Sequence, residues 1–499
     1  MKAVQPYAVY GLALACVLIF SVAAGCTSFV RGGRHGIVLN DLHSRLNPTR
    51  VAEVVSPRST TDVVEAVRRA VRKGRAISIS GGRHAAGGQQ FGEGTLHLDT
   101  SKLDDVLAFD RERGIVRVEA GIQWRALLKY LWLAQKGESP QWSIVQKQTG
   151  ADCLSIGGAL SSNIHGRGVN YKPIIQDVEA FTLVDARGDV LDVSRTSNPE
   201  LFRLVIGGYG LFGVITTVDL RLQQRKKLER VVEVIALDAL HALSVQRIND
   251  GFLYGDYQFK TDATAPDFLQ TGVFAAYKPV PMNTPIHMTR KRLGGKGWKR
   301  LIGLAHSDKA RAFKLYSDYY LTTNGQIYWS DTMQLSYYDD GYEKAVKAAM
   351  PVYEKGSLMI TEVYVPHDHI AAFMKVSAAD FKAHDVNLIY GTVRMIRRDD
   401  ESFLAWANKD YACIIFNLRI VHTDGDIQKA QADFQRIIDR ALEFDGSYYL
   451  TYHRWARRDQ VLKAYPQFPR FLELKRRYDP NERFQSEWYR HYKRMFADP

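Results

Sequence analysis

The sequence predicts an α+β protein built as two domains, on three observations. A chain of 499 residues is longer than one hydrophobic core accommodates, since cores stop growing at roughly 250–300 residues and longer chains divide. Short β-branched runs accompany an amphipathic helix near the N-terminus, and three glycine-rich turns fall between residues 81 and 213. After Leu220 the glycine clusters stop and longer helical and strand segments take over. With 46% hydrophobic and 24% charged residues, the composition supplies a packed core and excludes a disordered or fibrous chain.

At the N-terminus, Lys2 precedes an apolar run from Tyr7 to Ala24 that ends in Val22-Ala23-Ala24-Gly25-Cys26. The run has signal-peptide length, and small residues before a cysteine resemble the bacterial lipobox. Residues 1–26 therefore read as an exported leader, with lipid anchorage to a membrane of the bacterial cell envelope through Cys26. An uncleaved anchor and simple secretion remain the alternatives. The net charge of +13 invites a nucleic-acid reading, but the basic residues are spread out and no nucleic-acid-binding signature accompanies them. Cys16, Cys26, Cys153 and Cys413 show no metal-ligand spacing, so no metal site is expected.

Phe29 to Thr49 is polar and reads as linker and entry loop, with the fold beginning near Val51. Ser59 and Thr60 are N-caps for a helix whose apolar positions Val63, Val64, Val67, Ala70 and Val71 recur at helical spacing until Gly74. A strand at residues 76–80 leads into Gly81-Gly82-Arg83-His84-Ala85-Ala86-Gly87-Gly88-Gln89, followed by strands at Leu96–Asp99 and Ile115–Glu119. A dinucleotide fold of the Rossmann type opens a helix directly after its glycines, and this loop offers none. Gly157-Gly158 opens a second glycine-rich region running to Gly168. A hairpin is signalled by Val178 to Asp185 and Val190 to Val193, and Gly207-Gly208-Tyr209-Gly210 leads into the β-branched Gly213-Val214-Ile215-Thr216-Thr217. Three such turns suggest a backbone brought repeatedly close to one extended ligand.

In combination these motifs resemble the FAD-linked oxidase family of the vanillyl-alcohol oxidase type, with cytokinin dehydrogenase, aldonolactone and alditol oxidases, and decaprenylphosphoryl-ribose oxidase among its members. The resemblance implies a two-part FAD-binding domain of the PCMH type with an inserted mixed α/β substrate (cap) domain. On that reading residues 45–225 hold FAD, residues 226–440 form the cap, and residues 441–499 return to the FAD domain. It implies that FAD is bound by Ser80, Gly81, Gly82, Arg83, His84, Ala85, Gly88 and Gln89 in the first loop. In the second region Ser155, Gly157, Gly158, Ser161, Asn163 and His165 take this role, and in the third Gly213, Val214 and Ile215. His84 matches the position that bonds covalently to the flavin in many members, and Cys153 can be aligned with the second attachment point of bicovalent members. His165 reads equally as a flavin or substrate contact and as a turn residue bonded to backbone.

Arg394-Met395-Ile396-Arg397-Arg398-Asp399-Asp400 resembles the segment whose arginine faces the flavin in aldonolactone and alditol oxidases, although Thr392 stands where alditol enzymes carry an acid. Tyr478-Asp479-Pro480-Asn481-Glu482-Arg483-Phe484 matches the family's C-terminal signature. Where relatives place a lysine near the flavin, this chain has Tyr449-Leu450-Thr451-Tyr452-His453-Arg454. His453 and Tyr452 become the proton-acceptor candidates, histidine because its ordinary pKa lies nearest neutrality, and Arg394 the group that stabilises charge on reduced flavin. The implied chemistry is hydride transfer from a carbinol carbon to flavin N5 on a sugar, lactone or alcohol-like small molecule. Oxygen, a quinone or a carrier protein is the final acceptor. Amine oxidation and a non-catalytic flavin-fold binding lipoprotein are the rival readings.

Overall fold

The computed structural model describes residues 36–150, 152–336, 342–350 and 353–497. The leader and Cys26 lie outside the described residues, and among these no helix is long and apolar enough to cross a membrane.

Three sheets organise the chain. The smallest is parallel, with Leu96–Asp99 between Glu53–Val55 and Ile77–Ser80. The helix Thr60–Arg72 packs on it: the Ser59 hydroxyl caps it by accepting from the Asp62 amide at 3.1 Å, and Val63, Ala66, Val67 and Ala70 are buried. Phe484 joins this same small core. Its neighbours clamp Ile77, whose amide donates to the Arg483 carbonyl while its carbonyl accepts from Gln485, so the C-terminal segment lies against the first strands of the fold.

The second sheet has six strands gathered around Val214–Gln224, which pairs antiparallel with Ile115–Glu119, Val178–Val184 and Trp142–Ile144. The third is an eight-stranded antiparallel sheet running from Ile327–Trp329 at one edge to Ser447–Tyr448 at the other. A register shift between Leu388 and Tyr390 inserts Ile389 as an extra residue, and a bulge of this kind re-aims side chains locally. One continuous hydrophobic cluster joins the second and third sheets.

The segment before Val51 differs from the linker expected of it. Ile37–Leu39 and Thr49–Val51 form a two-stranded ribbon, and the Asp41 carboxylate organises the turn by accepting from the amides of His43 (3.0 Å), Ser44 (2.6 Å) and Arg45 (3.1 Å). One aspartate thus supplies the order that hydrophobic periodicity does not announce.

Candidate active site

The three glycine-rich regions converge on a cavity of about 1030 Å³, walled on its far side by the eight-stranded sheet and the helices Gly295–Ser307 and Lys309–Leu321. Ser80, Gly81, Gly82, Arg83, His84, Ala85 and Gln89 line it from the first loop, Ser155, Gly157, Gly158 and Ser161 from the second region, and Gly213 and Ile215 from the third.

Close approach explains the glycines of the first loop. A Cβ on Gly81 would stand 2.1 Å from the Ser155 hydroxyl, and one on Gly82 would stand 2.6 Å from the Cys153 carbonyl, so the loop lies directly on the second region. Ser80 offers backbone rather than side chain here. Its hydroxyl is 2.8 Å from His97 Nε2 and that of Ser78 is 2.9 Å from Nδ1, and burial pushes this doubly held imidazole down to about 3. Gln89 ties the loop to the C-terminal segment: its amide donates to the carbonyls of Leu450 (2.8 Å) and Thr451 (2.9 Å).

His84 stands on the wall with Nδ1 2.9 Å from His43 Nε2, while its buried Nε2 has no hydrogen-bond partner. Burial first, and His43 second, push its pKa down to about 3 against the opposing pull of the Cys153 backbone, so the imidazole is neutral. Cys153 also lines the cavity, and neither it nor Cys413 is in a disulfide.

Four predicted cofactor residues lie off the wall. Val214 points away between Gly213 and Ile215, as strand alternation requires, into the core of the small sheet. Gly88 takes a left-handed φ of 80° against the Arg454 guanidinium. Asn163 is buried, donating to Asp399 Oδ2 at 2.8 Å and accepting from the Ile175 amide at 3.2 Å. His165 is enclosed, with Nε2 2.8 Å from Glu362 Oε1 and Nδ1 3.2 Å from the Gly166 carbonyl, so it is a buried, hydrogen-bonded turn residue and is absent from the wall of the cavity.

The C-terminal segment divides its two candidates. Only Ser447–Tyr448 are strand; the chain then turns, and Tyr452 reaches the cavity while His453 does not. The His453 ring packs 4.7 Å from Phe434 and 5.7 Å from Trp455, centroid to centroid. Its Nδ1 accepts from the Trp455 amide, and burial pushes it down to about 3. It is a core residue, which removes it as the proton acceptor that the resemblance implies. Tyr452 accepts a 3.0 Å hydrogen bond from the Gln148 amide, and burial, reinforced by Glu362, holds its phenol well above its ordinary value.

Arg394 is also behind the wall. It sits across the strand pair from Cys413, buried, with Nε and Nη1 lacking partners. Beside it, burial works to raise the Glu362 carboxyl, but His165, Tyr364 and Arg394 together hold it below its usual value, so Glu362 is ionised with Oε2 unpartnered. His165, Glu362 and Cys413 bring three ligand atoms within 4.8 Å, but the adjacent guanidinium opposes a cation there. Sequence reasoning singled out neither His43 nor Glu362. Each meets its partner across 41 and 197 residues respectively, and nothing local marks either.

The wall suits FAD by its own chemistry. Glycines stand where side chains would collide, a neutral imidazole lies on the wall, and Arg45, Arg83 and Arg125 line it with no Asp or Glu among the described lining residues. An anionic pyrophosphate needs such a surface.

Comparison with known proteins agrees. Residues 51–194 match the family described as FAD binding domain. An uncharacterized oxidoreductase of the fasciation locus of Rhodococcoides fascians is 31% identical over 34% of this chain and 37% of its own length. Cytokinin dehydrogenase 2 of Arabidopsis thaliana is 30% identical over 35% of this chain and 34% of its own. L-gulono-1,4-lactone dehydrogenase of Mycobacterium tuberculosis is 28% identical over 36% and 42%. The matches thus span between a third and about two-fifths of these relatives. Residues 51–194 are therefore an FAD-binding domain of the PCMH type, FAD is the cofactor, and over about a third of its length the chain is similar to cytokinin and lactone dehydrogenases.

Proposed function

We propose that the protein oxidises a hydroxyl group of a small organic substrate, with FAD, when bound, serving as the two-electron acceptor for the hydride. The observation that carries this reading is the character of the wall: its charged side chains are basic, and no carboxylate is present among the described lining residues to receive a cationic amine.

Tyr452 and Gln148 hold the substrate hydroxyl. Because burial keeps the phenol protonated, Tyr452 positions that oxygen rather than acting as a free base. The acceptor behind it is Glu362, ionised and with Oε2 unpartnered. Arg394 contributes positive charge from behind the wall. This assignment replaces His453 and rests on the electrostatic reach between Glu362 and Tyr452. A Glu362→Gln variant is expected to lower turnover by roughly 100-fold, the low end for a lost acid–base group, while retaining FAD.

His84 is the attachment point for covalent FAD on this reading, with His43 holding its ring in place at 2.9 Å. Acid precipitation tests it: yellow colour stays with the pelleted protein and moves to the supernatant in His84→Ala. The similarity to cytokinin dehydrogenase 2 favours a second reading, amine oxidation. Anaerobic mixing separates the two, since an alcohol bleaches the flavin on the first and only an amine does so on the second.

A further inference from the structure

The cavity has a second chamber beyond the FAD loops, and its chemistry differs from theirs. Phe259, Trp298, Leu301, Ile302, Phe313 and Ile389 line it, and no charged side chain does. Polar groups there are few, and Gln258 and Ser357 among them are already engaged. Gln258 donates to Asp256 and accepts from Tyr316, and the Ser357 hydroxyl is 3.0 Å from His422 Nε2. A sugar needs many convergent donors and acceptors, and an apolar body needs few.

The helix Gly295–Ser307 makes the same point. Trp298, Leu301, Ile302 and Ala305 follow the i, i+3, i+4, i+7 spacing of a stripe that ordinarily packs onto a core. Here the stripe is only half-buried and lines the chamber. Gly303 is the helix's one buried residue, held against Ala349, while Lys296, Lys299 and Arg300 are exposed on the outside. The stripe thus presents an apolar surface to the cavity rather than to a protein core.

From these observations we infer that the substrate is a hydroxylated amphiphile, an alcohol whose extended apolar body fills this chamber while its hydroxyl reaches Tyr452. This rests on the alcohol-oxidising reading above and narrows it away from free sugars, alditols and sugar lactones.

Calorimetric titration of the FAD-loaded protein with 1-alkanols from butanol to decanol, and with an alditol and a sugar lactone, tests it without requiring turnover. Affinity should rise by about fourfold per added methylene, from ~0.8 kcal/mol per buried CH₂, until the chamber is full, with the alditol and lactone binding more weakly than the long alkanols. Leu301→Asp should cost at least tenfold in decanol affinity with FAD content unchanged, and Lys299→Glu on the outer face of the same helix should cost none. A flat alkanol series, tighter binding of the alditol or lactone, or full decanol affinity in Leu301→Asp would overturn the inference. A steep alkanol series in a protein whose flavin no alcohol reduces would instead leave the chamber assignment standing and remove the oxidation reading.

Discussion

The two halves of the cavity are built on opposite principles. The FAD half is made of backbone: glycines from three separated turns, a loop pressed onto Ser155 and Cys153, and basic side chains around it. The other half is made of side chains, apolar ones drawn from interior strands of the eight-stranded sheet, a bulge at Ile389 and a half-buried helix stripe. Backbone recognition tolerates little change, because a cofactor that never varies can be fitted closely. Side-chain recognition can be re-specified residue by residue. The difference teaches where each kind of mutation will be felt.

The largest effect is expected in the FAD half. Gly81→Val places atoms against a hydroxyl already 2.1 Å from the position of a Cβ, and overpacking of about 3 kcal/mol corresponds to a roughly 100-fold loss of FAD affinity. Flavin content after dialysis measures it. If Gly81→Val binds FAD normally, the backbone-built half of the comparison fails.

Next comes the boundary between the halves. Tyr452→Phe should lower kcat by about 100-fold with FAD retained, whereas the buried His453→Phe should leave kcat within about threefold. A reversed order would restore His453 to the wall.

Acid stability sharpens the contrast more modestly. His97 and His453 are both depressed to about 3 in the fold from an ordinary value of 6.5, so between these limits the unfolded chain binds protons the folded one refuses. Their contribution is complete above pH 6.5 and is lost as pH falls towards 3, at up to ~1.4 kcal/mol per pH unit for each group. Denaturant titrations at pH 7 and pH 5 should show this loss, and His453→Phe should remove about half of the slope the pair accounts for. The smallest effect belongs to the outer face of the helix Gly295–Ser307, where Arg300→Glu should change stability by less than about 0.5 kcal/mol.

Local features were legible in the sequence and long-range ones were not. The Ser59 cap, the helix it starts, the strand Leu96–Asp99 and the hairpin strands Val178–Val184 and Val190–Ser194 all follow from signals within a few residues. The mixed α+β content and the convergence of three glycine-rich regions on one cavity followed likewise. Gly157 and Gly158 read as loop yet lie in the helix Ile156–Ser162. Glycine is a poor helix former, and a Cβ on Gly157 would stand 2.9 Å from that of Ala120, so packing set the residue against its propensity. His453 misled because the chain leaves the sheet after Tyr448, and the family position it occupies no longer fixes where its ring points. The pairing of His43 with His84 and of His165 with Glu362 arises only when distant segments meet.

The most direct test of the central claim is anaerobic mixing of the FAD-loaded protein with a long-chain primary alcohol, following the yellow absorbance. The alcohol should bleach the flavin, about 100-fold more slowly in Tyr452→Phe and at an undiminished rate in His453→Phe. Flavin that stays oxidised with every alcohol and bleaches with an amine would contradict it.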